Sequence, residues 1–382
     1  MRIAVKLACI GVIAALTGCS SLNPFSSKAP RNPPAELVDF KPALAIRSAW
    51  SVSIGSADTF VFSPAVTDDS VFAAAADGAL ARIEISSGKP VWRINAGSPL
   101  TAGVGSDGAT VVVAAEKGQL LAFGIDGKLR WKAQASSEIL SAPAVGQGLV
   151  VVRSVDNRIA AYDADSGARR WVVQRTAPPL TLRTAPGIVI AGPTAFVALP
   201  GGRLLALAMN NGGPRWEVVV GDPKGATELE RIADVSGAPV LAGRDVCAVA
   251  YQGRVACFDA VTGAPHWARE TSSDVGLGVD DRFIYAADEH GIVTALSREN
   301  GVGAWRNNKL ANRRLATPIA IGRAVAVGDL EGYVHFLSRE DGAFVARAGT
   351  DGSPVIAATP LVEGRSAIFQ TQAGTVAALA AE

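Results

Sequence analysis

A tryptophan that recurs about every 42 residues, each time four residues after a glycine, constrains the fold of this chain more than any other feature. From Trp92 to Ala346, where alanine replaces the seventh tryptophan, six intervals cover 254 residues. The glycine–tryptophan pairs are Gly88/Trp92, Gly127/Trp131, Gly167/Trp171, Gly212/Trp216, Gly263/Trp267 and Gly301/Trp305. A fixed period of about 20 to 50 residues is the signature of a repeat architecture. We therefore expect one supersecondary unit repeated along the chain.

Each repeat contains four short apolar runs. In the first repeat they cover residues 63–66, 70–76, 79–85 and 90–96, and Asp-Asp, Asp-Gly and Ser-Ser-Gly separate them. Such residues form the tight turns of β-hairpins. Helical periodicity is nearly absent, which argues against a solenoid of helix pairs. Four antiparallel strands per repeat predict an all-β fold in which each repeat is one blade of a β-propeller.

The two ends of the chain predict how the ring closes. The eighth repeat begins at Ala357, but the chain ends at Glu382 after three of its four strands. Trp50 lies one period before Trp92, on an N-terminal segment that belongs to no blade. That segment would complete the last blade, and closure would leave no sheet end with unpaired backbone groups. We therefore predict an eight-bladed β-propeller of four-stranded antiparallel blades over residues 49–382, closed by the N-terminal strand.

The tryptophans are expected to hold neighbouring blades together. Their periodic position on the fourth strand indicates packing between blades rather than stacking on a ligand. Burial of such a large ring stabilises a fold by about 3–5 kcal/mol, judged by replacement with alanine. The predicted blade-docking residues are Trp50, Trp92, Trp131, Trp171, Trp216, Trp267 and Trp305.

Residues 1–18 are predicted to be a lipoprotein signal peptide. A short basic region precedes an apolar run of about ten residues, and a membrane span needs about twenty. The next residues, Leu16-Thr17-Gly18-Cys19, resemble the lipobox of bacterial lipoproteins, which implies lipidation of Cys19. The alternative is an ordinary signal peptide with a chance cysteine. By the same resemblance, Ser20 after the cysteine favours export to the outer membrane.

Residues 19–48 are rich in proline and serine. Proline removes backbone donors and holds the chain open, so this segment is predicted to be an extended tether. The propeller would then hang from the lipid and face an oxidising compartment.

Few residues are candidates for chemistry. The chain has 3 His and 4 Cys, and no two of them lie close enough in the sequence to suggest a metal site. Cys247 and Cys257 would face each other across Tyr251-Gln252-Gly253, either as a disulfide or as two buried free thiols. The histidines fall at different repeat positions, which predicts surface or packing roles. A formal net charge of +1 gives no general attraction for nucleic acid, so we expect no cofactor, no metal and no nucleic-acid partner.

The pattern Asp-x-x-[Ser/Thr]-Gly-x-x-x-Trp, clearest at residues 163–171 and 259–267, resembles the tryptophan-docking repeat of pyrroloquinoline-quinone dehydrogenases. Those enzymes carry an adjacent Cys-Cys pair over the cofactor and coordinate calcium, whereas this chain has no Cys-Cys pair. The resemblance therefore implies the fold, because an enzyme also needs a site. A quinone-binding propeller dehydrogenase remains an alternative function.

The lipobox, the proline-rich tether and eight such blades together resemble the BamB family, the propeller lipoproteins of the outer-membrane β-barrel assembly machinery. The most specific stretches are residues 179–184 and 226–235. The family binds the periplasmic POTRA domains of BamA and assists the folding and insertion of barrel proteins, with no known catalytic chemistry. The resemblance thus implies a non-catalytic scaffold, lipid-anchored in the outer membrane with its propeller in the periplasm. An envelope propeller with another partner is a further alternative.

The period lengthens at two successive blades. Most tryptophan intervals are 38–41 residues, but the interval from Trp171 to Trp216 is 45 and the next, to Trp267, is 51. The surplus follows the fourth strand, at residues 174–184 and 221–236. Connections of this kind all emerge on one face of a propeller, so the two loops should be neighbours. Within the second loop, Thr-Glu-Leu-Glu at 227–230 fits a capping box that opens one short helical turn.

The first loop carries Leu180 and Leu182 beside Arg183. Either the leucines pack onto their own blade, or they form an exposed patch with the arginine, the composition of an interface hot spot. In the BamB family, the matching Leu-x-Leu-Arg loop and a nearby Asp-x-Asp pair serve in BamA binding. The resemblance implies the same role for Leu180, Leu182, Arg183 and Asp234, while Ser236 stands in the place of the second acid.

Overall fold

The computed structural model describes residues 32–67, 69–182, 185–360 and 366–381, with the backbone alone described for residues 357–360. The chain divides into two compact units, residues 1–34 and residues 35–382. Of the first unit only residues 32–34 are described, and they form no helix or strand. The predicted signal peptide, Cys19, the N-terminal part of the predicted tether and Arg183 lie outside the described residues.

The second unit is the predicted eight-bladed β-propeller of four-stranded antiparallel sheets. In blades 1–7 the four strands follow one another in chain order across the sheet. Blade 1 contains β2 (Ala65–Val66), β3 (Ser70–Ala74), β4 (Ala79–Glu84) and β5 (Pro90–Asn95). Blade 2 contains β6 (Gly105–Ser106), β7 (Thr110–Ala115), β8 (Gln119–Gly124) and β9 (Leu129–Gln134). Blade 3 contains β10 (Ala144–Gly146), β11 (Leu149–Arg153), β12 (Arg158–Asp163) and β13 (Arg169–Gln174).

The remaining blades follow the same plan. Blade 4 contains β14 (Ile188–Ala191), β15 (Thr194–Leu199), β16 (Arg203–Ala208) and β17 (Pro214–Val219). Blade 5 contains β18 (Val235–Ala242), β19 (Asp245–Ala250), β20 (Arg254–Asp259) and β21 (Pro265–Glu270). Blade 6 contains β22 (Leu277–Val279), β23 (Phe283–Ala287), β24 (Val293–Ser297) and β25 (Gly303–Asn307). Blade 7 contains β26 (Ile319–Ile321), β27 (Ala324–Gly328), β28 (Tyr333–Ser338) and β29 (Phe344–Gly349).

Blade 8 joins the two ends of the chain. It contains β30 (Val355–Pro360), β31 (Ser366–Thr371) and β32 (Thr375–Ala381), and β1 (Ile46–Ser53) completes it. β1 pairs antiparallel with β32, from Ile46 opposite Ala381 to Ser53 opposite Thr375. The predicted closure by the N-terminal strand is therefore confirmed.

The burial of each strand follows its place in the blade. Second strands such as β7, with the sequence TVVVAA, are buried at every position because neighbouring blades cover both faces of the sheet. Fourth strands such as β9 and β13 alternate between exposed side chains and a buried tryptophan. The described residues contain no α-helix, and a single 3-10 turn, Glu116–Gly118, joins β7 to β8.

Each tryptophan of the repeat contacts the next blade. Its Nε1 donates a hydrogen bond to a backbone carbonyl of that blade, with N–O distances of 2.7–3.3 Å. The acceptors, in the order of the tryptophans, are the carbonyls of Ile85, Ile125, Ala164, Met209, Ala260, Arg298 and Arg339. The repeat glycine lies under the ring of the preceding blade: at Gly342, where φ is +71°, an added Cβ would lie 2.5 Å from the Trp305 ring. Glycine and tryptophan therefore recur together because they meet across each blade boundary.

The alanine at 346 has a structural reason. A tryptophan there would dock on the turn between the third and fourth strands of blade 8. That turn does not exist, because β32 and β1 come from opposite ends of the chain. Ala346 is buried instead, and Leu44 and Ile46 of the N-terminal segment pack against its cluster.

Cys247 and Cys257 form a disulfide, one of the two alternatives that the sequence leaves open. They lie directly opposite each other on β19 and β20, and both are fully buried. The cross-link is therefore internal to blade 5.

Candidate functional site

Two long connections on one face of the propeller form the candidate site. Residues 175–187 join blade 3 to blade 4, and residues 220–234 join blade 4 to blade 5. Every blade-to-blade connection runs from a fourth strand to the next first strand, so all of them lie on the same face, here called the connection face. We call residues 175–182 and 225–234 together the loop surface.

The carboxylate of Asp234 joins the two connections. Its Oδ2 accepts the backbone N–H of Leu182 at 2.6 Å, and its Oδ1 accepts the N–H of Gly201 at 2.9 Å. Gly201 lies in the hairpin between β15 and β16, so one side chain links three segments of the connection face. The predicted proximity of the two loops is confirmed.

Asp234 is buried, with 3% of its surface exposed. Burial raises the pKa of its carboxyl, and the hydrogen bonds from Gly201 and Leu182 and the charge of Arg153 oppose that shift. Arg153, at the end of β11, is itself buried, and burial lowers its pKa to about 10. Both oxygens of Asp234 accept N–H groups and neither is seen to donate, an arrangement that favours the carboxylate form. Asp234 thus positions the Leu182 backbone, and its side chain is not at the surface.

Ser236 does not replace a second acid at the surface. It is buried, with 1% of its surface exposed, and its hydroxyl lies 3.4 Å from the backbone carbonyl of Asp234. The second carboxylate that the family pattern would place here has no counterpart at this position.

The predicted capping box is present in the second connection. Thr227 Oγ1 accepts the N–H of Glu230 at 3.3 Å, and the Glu230 carboxylate accepts the N–H of Thr227 at 3.0 Å. These backbone hydrogen bonds lower the pKa of Glu230. The N–H of Arg231 closes a single turn on the carbonyl of Thr227 at 3.2 Å. The box therefore fixes the conformation of an otherwise exposed loop.

Leucine side chains project from both connections. Leu180 is 43% exposed, and Leu182 is half-buried beside the Asp234 contact. Leu229, inside the capping-box turn, is 68% exposed, although our sequence prediction did not include it in the site. The sequence signal for Leu229 is a single apolar residue in a turn whose remaining residues are all polar. The sequence left two alternatives for the leucines of the first loop, packing onto their own blade or exposure, and Leu180 is exposed.

The central channel is small and mostly apolar. A cavity of about 450 Å³ is lined by first strands and the residues that precede them. Its hydroxyl groups come from Ser63, Ser141 and Thr317, and its described lining includes no charged residue. The channel therefore offers apolar contacts and a few hydroxyls.

The described residues contain neither a metal-ligand cluster nor a membrane-spanning helix. No group of three or more His, Cys, Asp and Glu side chains in the ranges given above is arranged to hold a metal ion. No helix among the same residues has both the length and the apolar character needed to cross a bilayer.

Comparison with known proteins gives a consistent result. Residues 76–307 match the family model described as "Outer membrane protein assembly factor BamB". The proteins of that name from Bordetella pertussis and Burkholderia pseudomallei are 44% and 43% identical to this chain. The alignments cover 95% and 98% of this chain and 94% and 97% of those proteins. The crystal structure of BamB from Moraxella catarrhalis superposes with a TM-score of 0.81 at 27% identity, covering 88% of this chain and all of that one.

Quinone enzymes share the fold alone. The quinohemoprotein alcohol dehydrogenase from Comamonas testosteroni superposes with a TM-score of 0.67 at 15% identity, covering 88% of this chain and 76% of the enzyme. Identity this low carries no argument about activity.

Proposed function

Since the chain belongs to the BamB family of outer membrane protein assembly factors, we propose that it serves outer-membrane protein assembly as a non-catalytic scaffold. Its partner surface is the loop surface, together with the neighbouring Arg183. The partner is BamA, bound through its periplasmic POTRA domains, as the family resemblance implies. Lipidation of Cys19 holds the protein at the outer membrane, with the propeller in the periplasm.

One observation carries the proposal: a buried carboxylate fixes two long loops side by side while leucines from both point outward. The Asp234–Leu182 contact orders the first loop, and the capping box orders the second. Ordered loops lose little conformational entropy on binding, so more of the contact energy contributes to affinity. Full burial of a fully exposed leucine contributes about 1.5–3 kcal/mol, and Leu180 and Leu229, which are 43% and 68% exposed, would each contribute part of that.

The chemistry of the surface fits a protein partner. Leu180 and Leu229 supply apolar area, and Arg183 follows Leu182 in the chain. Arginine is enriched at interface hot spots, and burial of apolar area adds to the affinity. A quinone-dependent dehydrogenase has less support, because the described channel lining carries no charged side chain and the similarity to such enzymes extends only to the fold.

The test is co-purification with BamA from membranes that contain the full-length lipoprotein. We expect Leu180→Ser, Leu229→Ser and Arg183→Glu each to lower the recovery of BamA about tenfold or more, the effect of about 1.4 kcal/mol of binding free energy. Their thermal midpoints should stay close to wild type, because surface substitutions change stability by about 0.5 kcal/mol or less.

Val261→Ser is the matched control. Val261 is 69% exposed, nearly the same as Leu229, but it lies in the turn between β20 and β21 on the opposite face. Equal recovery of BamA with Leu229→Ser and with Val261→Ser would reject the loop surface. Dye reduction that depends on added pyrroloquinoline quinone and calcium would favour the enzyme alternative instead.

A further inference from the structure

Residues 35–44, here called the strap, lie along blades 6 and 7 before the chain enters β1. The N–H of Ala35 donates to the carbonyl of Ala311 at 2.8 Å. The N–H groups of Ala43 and Leu44 donate to the carbonyl of Val345 at 2.9 and 3.1 Å. This part of the segment predicted as a tether is therefore bound to the propeller.

Beneath the strap lies a buried cluster of charged and polar side chains. Asp329 and His335 are fully buried, and Arg313 is 2% exposed. Asp329 Oδ2 accepts from Arg313 Nε at 2.7 Å and lies 2.8 Å from His335 Nε2. Glu331 forms a second ion pair with Arg313. Such a cluster is costly to bury unless every charge is paired, so its remaining donors need partners.

The strap supplies those partners. Arg313 Nη1 donates to the carbonyl of Ala35 at 2.7 Å, and Arg347 Nη2 donates to the carbonyl of Val38 at 3.0 Å. The Arg347 guanidinium also lies 5.1 Å from the centre of the Phe40 ring. The charge-assisted hydrogen bonds to backbone carbonyls depend on the path of the strap backbone. The contact with the aromatic ring depends on the side chain of the strap.

Aromatic and aliphatic packing completes the contact. The Phe40 ring stacks on Phe344 with centroids 5.6 Å apart. Val38 and Phe40 pack against the apolar cluster of Trp305 and Leu310. Release of the strap would expose these groups to water and leave two arginine donors without their carbonyl acceptors.

The topology places the start of the strap on the connection face. Ala311 and Arg313 belong to the connection between β25 and β26, which leaves on the same face as the loop surface. The two connections of the loop surface lie two and three blades away around the ring. The chain therefore reaches the propeller on the face that carries the leucines.

We propose that the strap is a latch that fixes where the chain leaves the propeller, so that residues 19–34 alone set its distance from the lipid. The functional part of this inference rests on the proposed function. Sixteen residues, 19–34, reach at most about 55 Å when fully extended, and release of the ten strap residues would add about 35 Å. A docked strap thus restricts both the height of the propeller and the face turned to its partner.

Hydrogen exchange of the mature chain tests the docking itself. We expect the amides of Ala35, Ala43 and Leu44 to exchange at least about tenfold more slowly than the amide of Lys41, an exposed residue, because protection requires a closed hydrogen bond. The double variant V38A/F40A should lose this protection while the blades keep theirs, and the control Lys41→Ala should change nothing. Fast exchange of all strap amides in the wild type would overturn the latch.

A shortened tether tests the function of the latch. Deletion of residues 22–31 should lower the recovery of BamA about tenfold, because binding is lost when a linker cannot span its two attachment points. Adding V38A/F40A to the shortened chain would release the ten strap residues and so replace the lost length. The recovery of BamA should then be restored, whereas adding Lys41→Ala should not restore it. Failure of V38A/F40A to restore it would overturn the inference. Failure of the undeleted wild type to recover BamA would instead reject the proposed function.

Discussion

The carboxylate of Asp234 accepts the backbone N–H of Leu182, 52 residues earlier in the chain, at 2.6 Å. The family pattern implied that this acid contacts the partner, but in the fold it is buried and holds a loop in place. Its effect on binding would therefore pass through the position of the neighbouring leucines. A positioning role and a contact role predict different results, because only the first changes the loop itself.

Asp234→Asn tests that positioning role. The amide group would point an N–H₂ at either Leu182 or Gly201, so one hydrogen bond is lost, and Arg153 loses the opposing charge of Asp234. We expect the free energy of unfolding to fall by about 1–3 kcal/mol and the amide of Leu182 to exchange faster. Denaturant unfolding and hydrogen exchange measure the two effects. Asp222→Asn, at an exposed position in the second connection, is the control, and equal behaviour of the two variants would contradict the role.

Trp305 tests how the blades dock. Trp305→Phe keeps an aromatic ring but leaves the carbonyl of Arg339 without its donor, so we expect a loss of about 1–3 kcal/mol in the free energy of unfolding. Trp305→Ala also removes the ring from the blade boundary and should cost about 3–5 kcal/mol. Val302→Ala, at a 55% exposed position in the same blade, should have almost no effect in denaturant titrations. If Trp305→Phe were as mild as this control, the hydrogen bond would contribute nothing.

The disulfide of blade 5 is expected to stabilise the ring. Cys247 and Cys257 are 10 positions apart, and the chain-entropy relation gives about 2–3 kcal/mol for a loop of that length. The double variant C247A/C257A should lower the denaturation midpoint accordingly. Wild-type protein under reducing conditions should show a similar decrease, while the variant should not respond to the reductant. A variant as stable as the oxidised wild type would contradict this prediction.

Stability should fall on mild acidification because of His335. Arg347 Nε donates to its Nδ1 at 3.2 Å, so Nε2 carries the hydrogen that is donated to Asp329. Burial lowers the pKa of His335, with Arg347 and Arg313 acting in the same direction and Asp329 opposing them.

The folded state therefore resists a proton that the unfolded chain takes up below about pH 6.5. The free energy of unfolding should decrease as the pH falls from that value to the lowered pKa of His335. Below that pKa, His335 contributes no further decrease. At lower pH, Asp329 adds a further loss as the pH passes through its own lowered pKa. Urea midpoints at pH 7.5, 6.5 and 5.5 measure the first decrease. If the urea midpoint of His335→Gln fell with pH as steeply as that of the wild type, the decrease would come from other groups.

Much of the fold could be predicted because its determinants are local and repeated. Hairpin turns, strand alternation and the glycine that meets each tryptophan recur within one period. Each of the eight repeats therefore predicts the same blade. The unpaired strand around Trp50 was enough to predict closure, because three strands at one end need a fourth. The proximity of the two long loops also followed from topology, since connections of one kind leave on one face. The roles of Cys19 and Arg183 remain predictions.

The sequence by itself thus determined the blades, their number and their closure, and it located the two loops that carry the candidate surface. Only the tertiary structure decided that Asp234 is buried and holds the backbone of Leu182, that Leu229 is exposed, and that residues 35–44 are bound to the propeller. The bond from Arg313 to Ala35 joins residues 278 positions apart. Burial and pairing of this kind depend on which side chains meet once the ring has closed, and no local pattern of residues encodes that meeting.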